Sequence, residues 1–234
     1  IHGYFWTDAK LPDGKPNLRG HGGAEAKSYA RARIPSNWYS WGQYDPRFNV
    51  DKEMNEPNRF GWVVEIDPTD PTSTPVKHTA LGRFSHEGAE CLINTDGRVV
   101  LYSGDDGTFE YIYRFVSKGL YRPDDRANNM RLLSEGTLSV ARFNDDGTLD
   151  WLPLVFGEGP LTPENGFHSQ ADVLIDARLA GDLLKATPMD RPEDVQPSPV
   201  SGKIYAILTN NSQRKAGSEN AANPRAANTF GHII

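Results

Sequence analysis

Two stretches of this chain place acidic and amide side chains in matching positions, and these are the side-chain types that hold hard cations. His86-Glu87-Gly88 precedes a turn at Asp96-Gly97, and Gly104-Asp105-Asp106 follows the next apolar run. Pro192-Glu193-Asp194 precedes a turn at Ser201-Gly202, and Asn210-Asn211 follows its apolar run. In a two-residue hairpin, residues equidistant from the turn centre face each other. That reading sets Glu87 opposite Asp106, and Glu193 opposite Asn210. Each hairpin then carries a carboxylate and a second oxygen ligand at its open end. Two such ends brought together would gather Glu87, Asp105, Asp106, Glu193, Asp194 and Asn210 around one cavity. Carboxylates so crowded raise one another's pKa, and bound cations relieve the repulsion. Oxygen-only ligands suit calcium above all, and carboxylates also accept manganese or iron. Arg191 stands two residues before Glu193, on the same face of an extended segment. A guanidinium there is either a clamp for a phosphate or carboxylate or the partner of a neighbouring acid.

The elements that must position these groups read as short strands. Trp62–Ile66, Val76–Phe84, Ala89–Asn94, Arg98–Tyr102, Glu110–Val116, Gly136–Phe143, Leu149–Val155 and Lys203–Leu208 are apolar or alternating runs bounded by turn residues. Asp96-Gly97, Asp146-Gly147 and Ser201-Gly202 are the hairpin signals. Val173, Ala177, Ala180 and Leu184 form one helical stripe that packs on the sheets, with Ser169 as its cap and Pro188 beyond its end. Residues 1–60 are irregular but rich in rings (Tyr4, Phe5, Trp6, Trp38, Tyr39, Trp41, Tyr44), which suggests long loops pinned to a surface. The expected fold is mostly β: part of a β-propeller with several blades, one inserted helix and long loops.

Composition bounds the function. The chain has 234 residues with Lys+Arg 25 and Asp+Glu 31, a net charge of −6. There is no global basic field for nucleic acid or an anionic membrane. One cysteine, Cys91, rules out an intrachain disulfide and a multi-cysteine zinc site, and a buried structural thiol is expected there. Gly 22 and Pro 17 fit a chain of many turns. No Gly-x-Ser-x-Gly or P-loop occurs, so serine-hydrolase and NTPase readings lack their motifs. Asn144-Asp145-Asp146-Gly147 reads as a turn rather than a calcium loop. His86, beside Glu87, reads either as a hydrogen-bond support or as strand packing.

The strings Asn58–Pro68, Leu81-Gly82-Arg83-Phe84-Ser85-His86-Glu87-Gly88-Ala89, Tyr102-Ser103-Gly104-Asp105-Asp106, Met189-Asp190-Arg191-Pro192-Glu193-Asp194 and Leu208-Thr209-Asn210-Asn211-Ser212 resemble the PhoX-type alkaline phosphatases. The resemblance implies a β-propeller phosphatase exported to the bacterial periplasm by the twin-arginine route, with calcium and iron in one oxygen-rich cluster. It implies Glu87, Asp106 and Glu193 as cluster ligands and Arg191 as a contact for the substrate phosphate. Asp105 and Asn210 are carried as further candidate ligands from the hairpin argument. The family's iron-binding cysteine lies in a Thr-Cys-Glu-Glu-Asn segment, which would precede Ile1, and Cys91 does not match it. A further acidic ligand is expected beyond Ile234. The chain is therefore expected to be the central part of a single propeller phosphatase domain, cut at both ends and inactive by itself. The whole protein is expected to hydrolyse phosphate monoesters as a monomer. A calcium-stabilised propeller binding module and a lactonase-like propeller hydrolase are the alternatives.

Overall fold

The computed structural model describes residues 2–18 and 25–234. The chain forms two compact units, Ile1–Gly61 and Trp62–Ile234.

In the first unit, ladders give way to side-chain bonds. Its helices α1 (Ala26–Arg31) and α2 (Trp41–Tyr44) are short. The carboxylate of Asp51 accepts from Thr7 Oγ1 (2.9 Å) and from the Asp8 amide (2.6 Å). The Asn37 amide closes a ring with Thr7, accepting from its N–H at 2.8 Å and donating to its carbonyl at 3.0 Å. Such bonds satisfy loop backbone that has no strand partner. Phe5, Tyr29, Ile34 and Val50 form a core of their own. The ring-rich sequence also builds a stack, Tyr4 on Trp41 (5.0 Å) and Trp41 on Tyr39 (5.3 Å).

The second unit holds ten strands in three open sheets. The ribbon β1 (Val63–Glu65) and β2 (Val76–His78) is one. An antiparallel meander of β3 (His86–Ile93), β4 (Arg98–Asp105), β5 (Ile112–Leu120), β6 (Gly136–Phe143) and β7 (Leu149–Pro153) is the second. A helical turn, α3 (Arg126–Asn129), sits between β5 and β6. Helices α4 (Gln170–Ile175) and α5 (Ala177–Leu184) follow the meander. The third sheet is β8 (Pro192–Pro197), β9 (Ile204–Leu208) and β10 (His232–Ile233), with β9 in the middle.

Alternation along the meander strands explains the layering. Tyr113 and Phe115 of β5 and Leu138 and Val140 of β6 point to a core shared with Val173, Ala177 and Ala180 of the helices. Ile112 and Ala141 point the other way, to a core shared with Val195, Ala206 and Leu208 of the third sheet. Successive strand residues face opposite sides, so one meander is covered by helices on one face and by a small sheet on the other.

Three expectations need correction. The single helix is two: the chain breaks at Asp176 (φ −106°, ψ 41°), although the Ser169 cap forms as expected, accepting from the Asp172 amide at 3.1 Å. The strand expected to run from Val76 to Phe84 ends at His78, and a 3-10 turn takes Thr79–Leu81. The first two hairpins have three-residue loops rather than two. The Asn94 amide donates to the Arg98 carbonyl and the Asn144 amide to the Thr148 carbonyl, with Gly97 and Gly147 left-handed at φ 82° and 84°. That is a type I turn followed by a left-handed residue, for which glycine is the low-strain choice. The third hairpin is wider still, closed where the Ser198 amide donates to the Lys203 carbonyl.

Phe115 is fully buried in the helix-covered core. Phe115→Ala is expected to destabilise the protein by about 3–5 kcal/mol, read as a shift in urea unfolding midpoint. A shift below about 1 kcal/mol would mean that this core does not hold the meander to its helices.

Candidate active site

The end of β4, the start of β3 and the start of β8 converge. Two glycines permit this. A Cβ at Gly104 would fall on the Glu193 carbonyl oxygen, and one at Gly88 would fall on the Asp194 carboxylate. The approach brings an oxygen of each of Glu87, Asp106 and Glu193 within 4.8 Å of the others, all three half-buried. Arg191 stands among them. Its Nε and Nη2 donate to the two Asp106 oxygens at 3.0 and 3.2 Å, Nη2 also reaches Glu193 at 3.4 Å, and Nη1 donates to Asn210 Oδ1 at 3.1 Å. Thr209 Oγ1 donates to Glu193 Oε1 at 3.3 Å. Two of the three carboxylates thus bond to one guanidinium, and the third, Glu87, feels its charge. Burial, then the neighbouring charges of Glu193 and Asp106, push the Glu87 carboxyl above its ordinary pKa, against the pull of Arg191.

The register differs from the hairpin argument, and the cause is in the strands. Bulges between Glu87 and Glu90, and between Pro192 and Val195, shift the pairing. Glu87 faces Gly104, not Asp106, and Pro192 faces Leu208. The longer loops already move each turn centre, so that Glu90 faces Tyr102 and Val195 faces Ala206, and the extra residue at each bulge moves the pairing again. Asn210 meets Arg191 rather than standing as a partner across from Glu193.

Asp105 is not brought into the carboxylate group. It is fully buried, and Arg178 Nε and Nη2 donate to its two oxygens at 2.8 and 2.6 Å. Asp194 turns to its own strand, accepting from the Val195 amide at 2.9 Å and from Gln196 Nε2 at 2.6 Å. His86 packs on Phe84 at 3.7 Å, with its Nε2 donating to the Gly82 carbonyl at 3.0 Å and Nδ1 2.9 Å from Ser103 Oγ. Burial lowers its pKa to about 4, so the imidazole is neutral. Cys91 is exposed rather than buried, on the β3 face beside an apolar cavity of about 490 Å³.

A model of the family "Alkaline phosphatase PhoX" matches residues 15–234, which spans the whole of this cluster. The chain belongs to the PhoX alkaline phosphatase family. Among solved structures, Pseudomonas fluorescens PhoX in complex with vanadate, a transition state analogue, is similar with a TM-score of 0.86 and 42% identity. The likeness covers 100% of this chain and 40% of that one, so the chain spans less than half the length of its solved relative. No curated protein matches the chain.

Sequence reasoning missed several residues of this PhoX-family site. Thr209 sits inside a recognised string, but nothing in its type marks it as a support for Glu193. Gly104 carried a signal: a glycine just before two acids at a strand end marks a close backbone approach. Arg178 and Arg214 had none, because their partners are 73 and 24 residues away in sequence.

Two measurements check this geometry. Gly104→Ala must push β8 off β4, and is expected to cost about 1–3 kcal/mol of stability by urea unfolding; an unchanged midpoint contradicts the close approach. Although the Cys91 residue is exposed, the protein atoms around its thiol keep water from part of it, and this desolvation, then the nearby Glu90 and Glu65, push the thiol up to about 11. Alkylation by iodoacetamide is therefore expected to be slow at pH 7.5 and to accelerate until pH passes about 11, since the thiolate is the nucleophile. A rate that levels off near pH 8.5 would contradict that environment.

Proposed function

We propose that the whole protein containing this chain hydrolyses phosphate monoesters at a multi-metal site, with calcium and iron as its metals. The observation that carries the reading is the group Glu87, Asp106 and Glu193 around Arg191, within a chain of the PhoX family. The donor set fits hard cations. It is all oxygen, and its negative charges exceed the single guanidinium that faces them. Glu87, Asp106 and Glu193 would hold the metals. When bound, such cations neutralise phosphate oxygens and the leaving group and activate water for attack.

The chain's own residues set up the rest. Arg191 has five N–H donors; four bonds to Asp106, Glu193 and Asn210 leave one Nη1–H. Its side chain is 33% exposed, so a phosphate oxygen reaches it from solvent. Asp106 and Asn210 fix the plane of the guanidinium before substrate arrives, which avoids the cost of ordering it afterwards. Aimed at the equatorial oxygens of phosphorus, it stabilises the charge that shifts there during displacement. Thr209 holds Glu193 by its second contact. The vanadate complex of the solved relative supports a phosphoryl-transfer site in this fold.

The meeting of strand ends from two sheets at one cluster supports a propeller arrangement of the intact domain. Periplasmic export and a monomeric state go with this proposal on the family resemblance alone. Among the described residues no helix is long and apolar enough to cross a membrane.

In the full-length protein, Arg191→Ala and Glu193→Gln are each expected to lower p-nitrophenyl phosphate kcat/KM by about 100-fold or more. Turnover unchanged in both variants would sink the assignment. Dialysis against a chelator is expected to abolish turnover, and calcium with iron to restore it. Metal analysis that finds calcium alone, with no phosphatase activity before dialysis, would favour a binding module instead.

A further inference from the structure

Each partner of the Asp106–Arg191 pair directly follows a fully buried aspartate, Asp105 and Asp190. Each of these is held by an arginine from a distant part of the chain. Arg178 of α5 forks the Asp105 carboxylate at 2.8 and 2.6 Å, and the Ser85 amide adds a bond at 3.1 Å. Arg214 Nε donates to Asp190 Oδ1 at 2.6 Å, and Asn211 Nδ2 donates to the same oxygen at 2.9 Å. Asn228 Nδ2 is 3.4 Å from the other oxygen, and the Asp190 amide donates to Asn223 Oδ1 at 3.0 Å. The remaining Arg214 donors reach the carbonyls of Pro188 (2.8 Å) and Ser218 (2.9 Å).

The two anchored stretches are also tied to each other. The Met189 amide donates to the Glu110 carbonyl and the Phe109 amide to the Met189 carbonyl, each at 2.9 Å. Arg214 lies over the Phe109 ring at 5.3 Å. Phe109 and Arg191 both have left-handed backbone, φ 68° and 50°. For bulky residues that conformation is unfavourable, and it persists only where the surroundings over-determine it. A buried ion pair is by itself weak support for stability, because well-packed apolar residues often replace it without loss. Here one such ion pair precedes each half of the guanidinium–carboxylate pair, and Asp190 directly precedes the left-handed Arg191.

We propose that Asp190 with Arg214, and Asp105 with Arg178, are positioning pairs that set the Arg191 guanidinium for the substrate phosphate. The pairs touch neither the phosphate nor the three clustered carboxylates; they fix the backbone from which Asp106 and Arg191 project. The inference rests on the phosphatase reading above.

The test is a double-mutant cycle in the full-length protein. Asp190→Asn and Asp105→Asn are made singly and in an Arg191→Ala background. For each, kcat/KM for p-nitrophenyl phosphate, the inhibition constant of inorganic phosphate and the unfolding temperature are measured. In the wild-type background each is expected to lower kcat/KM by 10–100-fold and to weaken phosphate inhibition. In the Arg191→Ala background each is expected to cost less than about twofold, because a residue acting through Arg191 has nothing further to lose. Equal losses in both backgrounds, or a lowered unfolding temperature with unchanged kcat/KM and inhibition, would overturn the proposal. If Asp190→Asn does not fold, Asn211→Ala removes one bond to the same carboxylate and is read in the same way. An Arg191→Ala protein as active as wild type would also overturn the proposal, whereas a wild-type full-length protein with no phosphatase activity would overturn the phosphatase reading itself.

Discussion

Like-charge crowding is the constraint around which this structure is arranged. Three carboxylates have oxygens within 4.8 Å of one another, and one guanidinium faces them. Left alone, such a group disfavours its own ionised form, and burial first, then the charges of Glu193 and Asp106, raise the pKa of Glu87. The backbone around the cluster must therefore be held by interactions that do not depend on it. That is what the surrounding fold supplies: strand pairing on one side, buried ion pairs beneath, and glycines where backbones meet.

The holding elements are far apart in sequence and different in kind. The five-stranded meander is fixed by two apolar cores, one under the helices and one under the small sheet. Because successive residues of β5 and β6 serve both cores, neither cover can slide without exposing one of them. At the strand ends, where hydrophobic packing gives out, polar links take over. Asp105–Arg178 joins β4 to α5, and Asp190–Arg214 joins the start of β8 to the loop after β9. The three carboxylates and Arg191 thus stand half-buried at strand ends whose inner side is bonded by these pairs.

Much of the secondary structure was legible because it depends on local patterns. The period-two run at Glu110–Val116, the apolar stretches either side of Asp96-Gly97 and Asp146-Gly147, and the cap at Ser169 all appear as elements. The misreadings share one cause. Loop length, the bulges at Glu87–Glu90 and Pro192–Val195, and the break at Asp176 are each backbone geometries that hydrophobic periodicity does not encode. A bulge leaves little trace in composition, yet it moves every pairing beyond it. The mirror-image pairing of Glu87 with Asp106 failed because the loop is one residue longer than a two-residue turn and the bulge adds a further shift, although the two residues still meet.

The amino-acid sequence by itself determined which residue types were available: the acids at 87, 106 and 193, the arginine beside them, and the turns that bring strand ends to one side. These follow from chemistry and short-range periodicity. Tertiary structure alone decided which acids share a site and which are buried in ion pairs. Asp105 and Asp106 are neighbours of one type, and they part at the end of β4, the last strand residue turned toward Arg178 and the residue after it toward Arg191. The guanidinium that waits on each side arrives from another part of the chain, and only folding brings it there.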